Sequence, residues 1–215
     1  MPYEGIFITF EGIEGTGKST QTDLLCEHLF KEGIGHVRTV EPGGTPIGDE
    51  IRQILLSVDN KAMSARTELL LYAASRAQHV DEVIVPALRS GKVVVCDRFT
   101  DSTVAYQGYG RGLDMELIHK LNDICTGGIK PDITFLLDTE VEAGLSRNRT
   151  ANKVDRLELE AEEFHQKVRK GYIEISEKES DRVRVIDSGQ EIEKVSEEII
   201  KVLTEFMKGA TGASE

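Results

Sequence analysis

The sequence predicts an α/β fold: a parallel sheet with helices on both faces, three layers in all. Three observations carry this. Five short, nearly continuous apolar runs, at 5–11, 37–40, 92–96, 133–137 and 183–186, alternate with helical stretches. Strands buried on both faces read this way. The first run opens into Gly12-Ile13-Glu14-Gly15-Thr16-Gly17-Lys18-Ser19, which fits the phosphate-loop pattern GxxxxGK[ST] at every fixed position. Unusual polar segments also follow the first three runs, and in open parallel sheets ligands gather at the carboxyl ends of the strands.

The first strand, Gly5 to Glu11, is apolar enough to be buried. Thr20 to Lys31 places Leu24, Leu25 and Leu29 at helical spacing. Strand, loop and helix together are the context a phosphate loop requires. Its glycines tolerate angles that side chains forbid, and its N–H groups and the helix N-terminus point at an anion. Lys18 is expected to reach the β- and γ-phosphates and Ser19 to ligate a magnesium ion. A glycine-rich turn that only caps a helix would not explain Lys and Ser at that spacing.

The second strand ends in Glu41-Pro42-Gly43-Gly44-Thr45. The apolar, helical stretch 67–88 follows, with Tyr72 and Arg76 four residues apart on one face. The third strand ends in Asp97-Arg98-Phe99. An acid ending a buried strand beside a phosphate loop helps hold magnesium, and an adjacent arginine can bind a second phosphate group; the plainer reading is a strand-end salt bridge. Beyond the fourth strand, residues 144–160 are polar, basic and weakly periodic. They read as a lid carrying Arg147, Arg149 and Arg156, or more plainly as a solvated basic loop. Glu158 to Glu163 read as a solvated helix face. The tail 209–215 is small and polar and is expected to fray.

The chain is 215 residues long, the length of one domain, and 1–215 is read as a single domain. A net charge of −12 argues against a nucleic-acid partner, which would call for a basic face. Cys26, Cys96 and Cys125 are widely spaced with no C-x-x-C pair, so buried free thiols are expected rather than disulfides or zinc. The five histidines show no ligand spacing. Met1-Pro2-Tyr3-Glu4 lacks a basic start before an apolar run, and no stretch reaches transmembrane length, so a cytoplasmic protein is expected.

Phe10-Glu11-Gly12, Glu41-Pro42-Gly43-Gly44-Thr45, Tyr72-Ala73-Ala74-Ser75-Arg76, Asp97-Arg98-Phe99-Thr100-Asp101-Ser102, Ala105-Tyr106-Gln107-Gly108 and the arginine-bearing lid, in this order over roughly 5–190, resemble the thymidylate kinase family. The resemblance implies a P-loop kinase fold with a five-stranded parallel sheet and a short lid. It implies transfer of the γ-phosphate of ATP to dTMP with Mg²⁺, giving dTDP for dTTP synthesis, and a homodimer. Gly12, Ile13, Glu14, Gly15, Thr16, Gly17, Lys18, Ser19 and Thr20 would hold ATP, with Ser19 and Asp97 at the metal. Glu41, Arg52, Tyr72, Arg76, Arg98, Thr103, Tyr106 and Gln107 would hold dTMP. Tyr72 would stack on the base and Arg76 would meet its edge, where thymine offers an acceptor and cytosine a donor.

Catalytic roles would fall to Lys18, Arg98, Glu14 and a lid arginine, Arg149 or Arg156. The phosphate loop has no arginine, as in the bacterial-type branch, which supplies one from the lid. Related lids often carry a further arginine near Ala151-Asn152, and this chain does not; Lys153 lacks the bidentate fork. Two other readings stay open: a kinase for a different nucleoside monophosphate or a deoxynucleoside, and a nucleotide-dependent switch with no small acceptor.

Overall fold

The computed structural model describes residues 3–150 and 155–212, with 149–150 and 210–212 as backbone only. Five parallel strands form one sheet: β1 (Phe7–Glu11), β2 (His36–Val40), β3 (Val93–Asp97), β4 (Ile133–Asp138) and β5 (Val183–Asp187), in the order β2-β3-β1-β4-β5. Each lies within one or two residues of its sequence-based position. The three central strands are almost wholly buried because helices cover both faces, whereas the edge strands β2 and β5 alternate toward solvent.

The helices are α1 (Lys18–Lys31), α2 (Pro46–Leu56), α3 (Ala65–His79), α4 (Val85–Arg89), α5 (Thr100–Thr103), α6 (Met115–Thr126), α7 (Val141–Thr150), α8 (Glu162–Lys178) and α9 (Ile192–Gly212). Wide π turns at Val80–Ile84 and Val104–Gly110 continue α3 into α4 and α5 onward. On one face, Ile8, Phe10 and Phe135 pack against Leu25 and Leu29 of α1 and Val195, Ile199 and Leu203 of α9. On the other, Ile13 and Leu136 meet Tyr106, Ile118, Phe164, Val168 and Tyr172. Each such fully buried side chain contributes about 1.5–3 kcal/mol.

The register fixes the site. Phe10 stands beside Asp97, and Arg98 N donates to Phe10 O at 2.9 Å. Glu41 N donates to Asp97 O at 2.9 Å. The ends of β1, β2 and β3 therefore meet at one edge, as the parallel topology requires.

Two segments depart from the sequence reading. Residues 144–150 are helical, the end of α7, because Gly144 is buried against the phosphate loop. The helix α9 runs through Gly212, so the backbone of 209–212 belongs to it, where the sequence suggested no regular element. Ala151, Asn152 and Lys153 of the lid and residues 213–215 of the tail lie outside the described residues.

Candidate active site

The phosphate loop owes its path to glycine at two positions. At Gly12 (φ 137°) an added Cβ would stand 2.3 Å from Leu137 O on β4. At Gly15 (φ 73°) it would stand 1.9 Å from Gly144 O on α7. In this packing an arginine at position 15 is excluded by main chain. Gly17 is the left-handed N-cap of α1, and no side chain caps that end. The first N–H groups of the helix therefore face the cleft as donors for an anion.

Lys18 folds back over the loop, its Nζ donating to Ile13 O at 2.6 Å. Burial, and then the charge of Arg98, lowers its pKa to about 8, against the pull of Asp97, Glu14 and Glu11. It remains a cation at neutral pH. Ser19 Oγ donates to Asp97 Oδ2 at 2.7 Å. A hydroxyl and a carboxylate thus converge at the loop from α1 and β3, the hard oxygen donors that suit Mg²⁺. Among the described residues, no group of three or more His, Cys, Asp or Glu could hold a metal ion.

Arg98 has φ 73°, the one left-handed non-glycine among the described residues. Its Nη1 donates to Gly12 O at 2.9 Å, Tyr172 OH at 3.1 Å and Ser102 Oγ at 3.2 Å; its Nη2 donates to Glu14 Oε1 at 2.9 Å and Tyr106 OH at 3.3 Å. The guanidinium lies over the Tyr106 ring. Tyr106 OH donates to the other oxygen of Glu14. Burial opposes ionisation of Glu14, but Arg98, Lys18 and Tyr106 outweigh it and hold its pKa below the usual value.

Beneath this layer lies Glu11, 1% exposed. Its Oε1 accepts from Phe99 N at 2.7 Å and Ser102 N at 3.3 Å, its Oε2 from Ser102 Oγ at 2.6 Å and Tyr172 OH at 3.0 Å. Burial and the charge of Asp101 nevertheless raise its pKa to about 7. The sequence reading missed Glu11, Ser102 and Tyr172 as supports of Arg98. Tyr172 sits on α8, 74 positions along the chain from Arg98, and no short-range pattern marks it.

The opposite wall is built around Arg76, 2% exposed. Its Nε donates to Glu41 Oε2 at 2.7 Å, Nη1 to Thr103 Oγ1 at 2.8 Å and Asn122 Oδ1 at 3.0 Å, and Nη2 to Phe99 O at 2.9 Å. His79 Nδ1 lies 2.9 Å from Glu41 Oε1, and its Nε2 lies 2.5 Å from Thr39 Oγ1. Burial opposes ionisation of Glu41, and Arg76 with His79 overcomes it, so its pKa is lowered. Arg76 braces the wall with four of its five N–H groups engaged by the protein. Arg52 Nη1 donates to Pro42 O at 2.6 Å, holding the bend after β2. Gln107 Nε2 donates to Glu68 Oε1 at 2.8 Å.

A single cleft of about 580 Å³ is lined by Lys18, Ser19 and Asp97 at one end and by Tyr72, Arg76 and Gln107 at the other. Glu14, Gly15, Gly17, Thr20, Glu41, Arg52, Arg98, Thr103 and Tyr106 also reach it. Gly12, Ile13 and Thr16 shape the loop from behind. On the loop's far side a hollow of about 360 Å³ is lined by Arg147, Thr16, Gln21 and residues 188–192, which the sequence reading did not single out. Arg147 borders both and donates from Nη1 to Ser188 O at 3.0 Å.

Among the lid arginines, Arg156 stands apart from the expectation. Arg156 does not line the cleft: it is 6% exposed, its Nη1 pairs with Glu68 Oε2 at 2.6 Å and its Nε donates to Leu55 O at 3.0 Å. A buried carboxylate has captured it. Arg149 lies on α7, and its side chain is outside the described residues. The acidic run is not simply a solvated face either. Glu158 lines the cleft, and Glu160 pairs with Arg111 at 2.7 Å.

The family model for thymidylate kinase matches residues 10–199. A thymidylate kinase of Geotalea uraniireducens is 55% identical over 196 residues, covering 88% of this chain and 92% of that protein. One of Geobacter sulfurreducens is 51% identical over 205 residues, covering 93% and 96%. The crystal structure of thymidylate kinase from Ehrlichia chaffeensis superposes with a TM-score of 0.78 at 39% identity, covering 93% of this chain and 98% of that one. With the phosphate loop, the Asp97-Arg98 strand end and the Glu41–Arg76 wall on one cleft, these likenesses place the chain in the thymidylate kinase family.

Proposed function

We propose that this cleft transfers the γ-phosphate of ATP to dTMP, giving dTDP for dTTP synthesis. One observation carries the reading: the phosphate loop and the Tyr72–Arg76–Gln107 wall line the same cleft, and so does Arg98, which bonds both Glu14 of the loop and Tyr106. Donor and acceptor phosphates would meet at that arginine. No general base is called for, since the acceptor is already a phosphate dianion and catalysis is positioning and charge stabilisation.

Lys18 and the loop N–H groups would hold the donor phosphates. The donor nucleoside would extend toward Arg147 and residues 188–192, in the hollow beside the loop. Ser19 and Asp97 would hold Mg²⁺, which when bound neutralises charge on the donor phosphates. Arg98 would bridge the two phosphates, exchanging Glu14 for the acceptor. Arg52 would bind the acceptor phosphate. Tyr72 would stack on thymine. Arg76 would meet thymine O4 through its remaining Nη2 N–H. Lid arginine for the transferring group would come from Arg149, since Arg156 is committed to Glu68.

We also propose a homodimer through α2, α3 and α6. Ile47 and Ile54 on α2, Leu70 on α3, and Leu117 and Ile124 on α6 are each at least 44% exposed. The pairs within α2 and α6 are seven residues apart, so each shares one helix face. Sedimentation at micromolar concentration should give twice 23.8 kDa; a single species at the monomer mass would refute it. Free, buried cysteines fit a reducing compartment, and no helix among the described residues is long and apolar enough to cross a membrane; we assign the chain to the cytoplasm.

The direct test is ADP release with dTMP, dUMP, dCMP or thymidine as acceptor. Turnover should be highest on dTMP. ATP hydrolysis indifferent to acceptor, or a clear preference for another acceptor, would overturn the assignment.

A further inference from the structure

Glu68 is fully buried on α3 and does not line the cleft. Yet it gathers donors from three directions. Its Oε1 accepts from Gln107 Nε2 at 2.8 Å and Arg111 Nε at 3.2 Å. Its Oε2 accepts from Arg111 Nη2 at 3.1 Å and Arg156 Nη1 at 2.6 Å. Arg156 in turn clasps the end of α2: its Nε donates to Leu55 O at 3.0 Å and its N to Leu56 O at 3.2 Å. Arg111 extends the chain to Glu160 at 2.7 Å.

One partner of this carboxylate, Gln107, lines the cleft, and another, Arg156, is flanked by residues that do. Gln107 and Leu56 line it, as do Asp155, Leu157 and Glu158 on either side of Arg156. An ionised carboxylate accepts hydrogen bonds and cannot donate them. Glu68 therefore takes the amino end of the Gln107 amide and settles which way round that amide lies. Burial opposes the charge, but Arg111 and Gln107 hydrogen bonds and the Arg156 charge more than compensate, so the group stays ionised. No comparable link runs from Glu68 to Lys18, Ser19 or Asp97 among the described residues.

We propose that Glu68 is a positioning residue for the acceptor side: it aligns Gln107, the end of α2 and the turn 155–160 as one wall, acting through Arg156. This rests on the acceptor reading given above. Removing the charge should loosen that wall while leaving the ATP end in place. A residue that merely held the fold together would lower stability without telling the two substrates apart.

The test is steady-state kinetics with dTMP and ATP varied separately, well below each variant's melting temperature. In Glu68→Gln, KM for dTMP should rise about 10-fold or more while KM for ATP stays within about 2-fold, coupled buried partners being worth this much. Arg156→Ala should show the same split, Arg156→Lys should recover part of it, and Glu68→Gln/Arg156→Ala should be no worse than either alone. Arg156→Ala carries the test if Glu68→Gln fails to fold. Equal shifts in both KM values, no shift in either, or additive losses in the double variant would overturn the proposal. Loss of dTMP preference in the wild-type protein would instead overturn the acceptor reading on which it stands.

Discussion

The phosphate loop sets its cation against main chain, whereas the proposed acceptor wall sets its arginine mostly against other side chains. Lys18 rests on Ile13 O, five residues away, in a loop shaped by Gly12 and Gly15. Arg76 rests on Glu41, Thr103, Asn122 and Phe99 O, drawn from the segment after β2, α5, α6 and the segment after β3. The first kind of site is short, local and set by backbone angles. The second is a buried ion network, in which losing one partner strands the other without solvation. Changes at the loop should therefore remove function and spare the fold. Changes deep in the wall should cost both.

The sharpest test of the loop is Lys18→Ala. It removes the charge proposed to hold the donor phosphates while the glycine-set path remains, so kcat should fall by about 10²- to 10³-fold or more, with the melting temperature nearly unchanged. Near wild-type turnover in the folded variant would break the assignment of the loop. On the wall, Arg52→Ala is the cleaner probe, because Arg52 is half-buried and its guanidinium is held by a bond to Pro42 O alone among the described residues. A charge-assisted contact to the acceptor phosphate is worth about 1.5–3 kcal/mol, so KM for dTMP should rise about 10- to 150-fold by RT ln K. An unchanged KM would move the acceptor phosphate elsewhere.

Tyr106 lies on the seam between the halves, its hydroxyl on Glu14 and its ring under Arg98. An extra 2′-hydroxyl beside that ring would lose water without gaining a partner, at about 1–3 kcal/mol. Tyr106→Ala should weaken dTMP use and narrow the gap between dTMP and ribothymidine monophosphate. Comparing kcat/KM for the two substrates in both proteins checks this; an unchanged ratio would make Tyr106 a packing residue.

The smallest effect concerns stability rather than turnover. Glu11 has an ordinary pKa of 4.5 and a folded value of about 7. Between those values the folded state keeps a proton that the unfolded chain has lost. The stability this group supplies is complete below about pH 4.5 and is lost as pH rises through 7, with a slope of at most about 1.4 kcal/mol per pH unit. Glu11→Gln cannot ionise, so its urea-unfolding profile from pH 5 to 8 should lack that decline. Parallel profiles would show that Glu11 is already ionised across the range.

These contrasts also explain what the sequence made legible. The five strands were readable because continuous apolar runs admit few alternatives, and the phosphate loop because its determinants are contiguous. Asp97 and Arg98 were readable as a pair because they end a strand. Glu68, Tyr172 and Ser102 were not, because their meaning lies in partners tens of residues away. Arg156 was read for its charge, but its role in this structure is set by Glu68, a carboxylate 88 positions earlier in the chain. Glu158 and Glu160 looked solvated because a run of acids says nothing of the arginines folded against it.

The division of the cleft is tested most directly by calorimetric titration of ATP and dTMP, separately, into the wild-type protein, Lys18→Ala and Arg52→Ala. Lys18→Ala should lose ATP affinity and keep dTMP affinity, and Arg52→Ala should do the reverse. Both variants losing both ligands alike, or the pattern appearing inverted, would contradict a donor site at the loop facing an acceptor site at the wall.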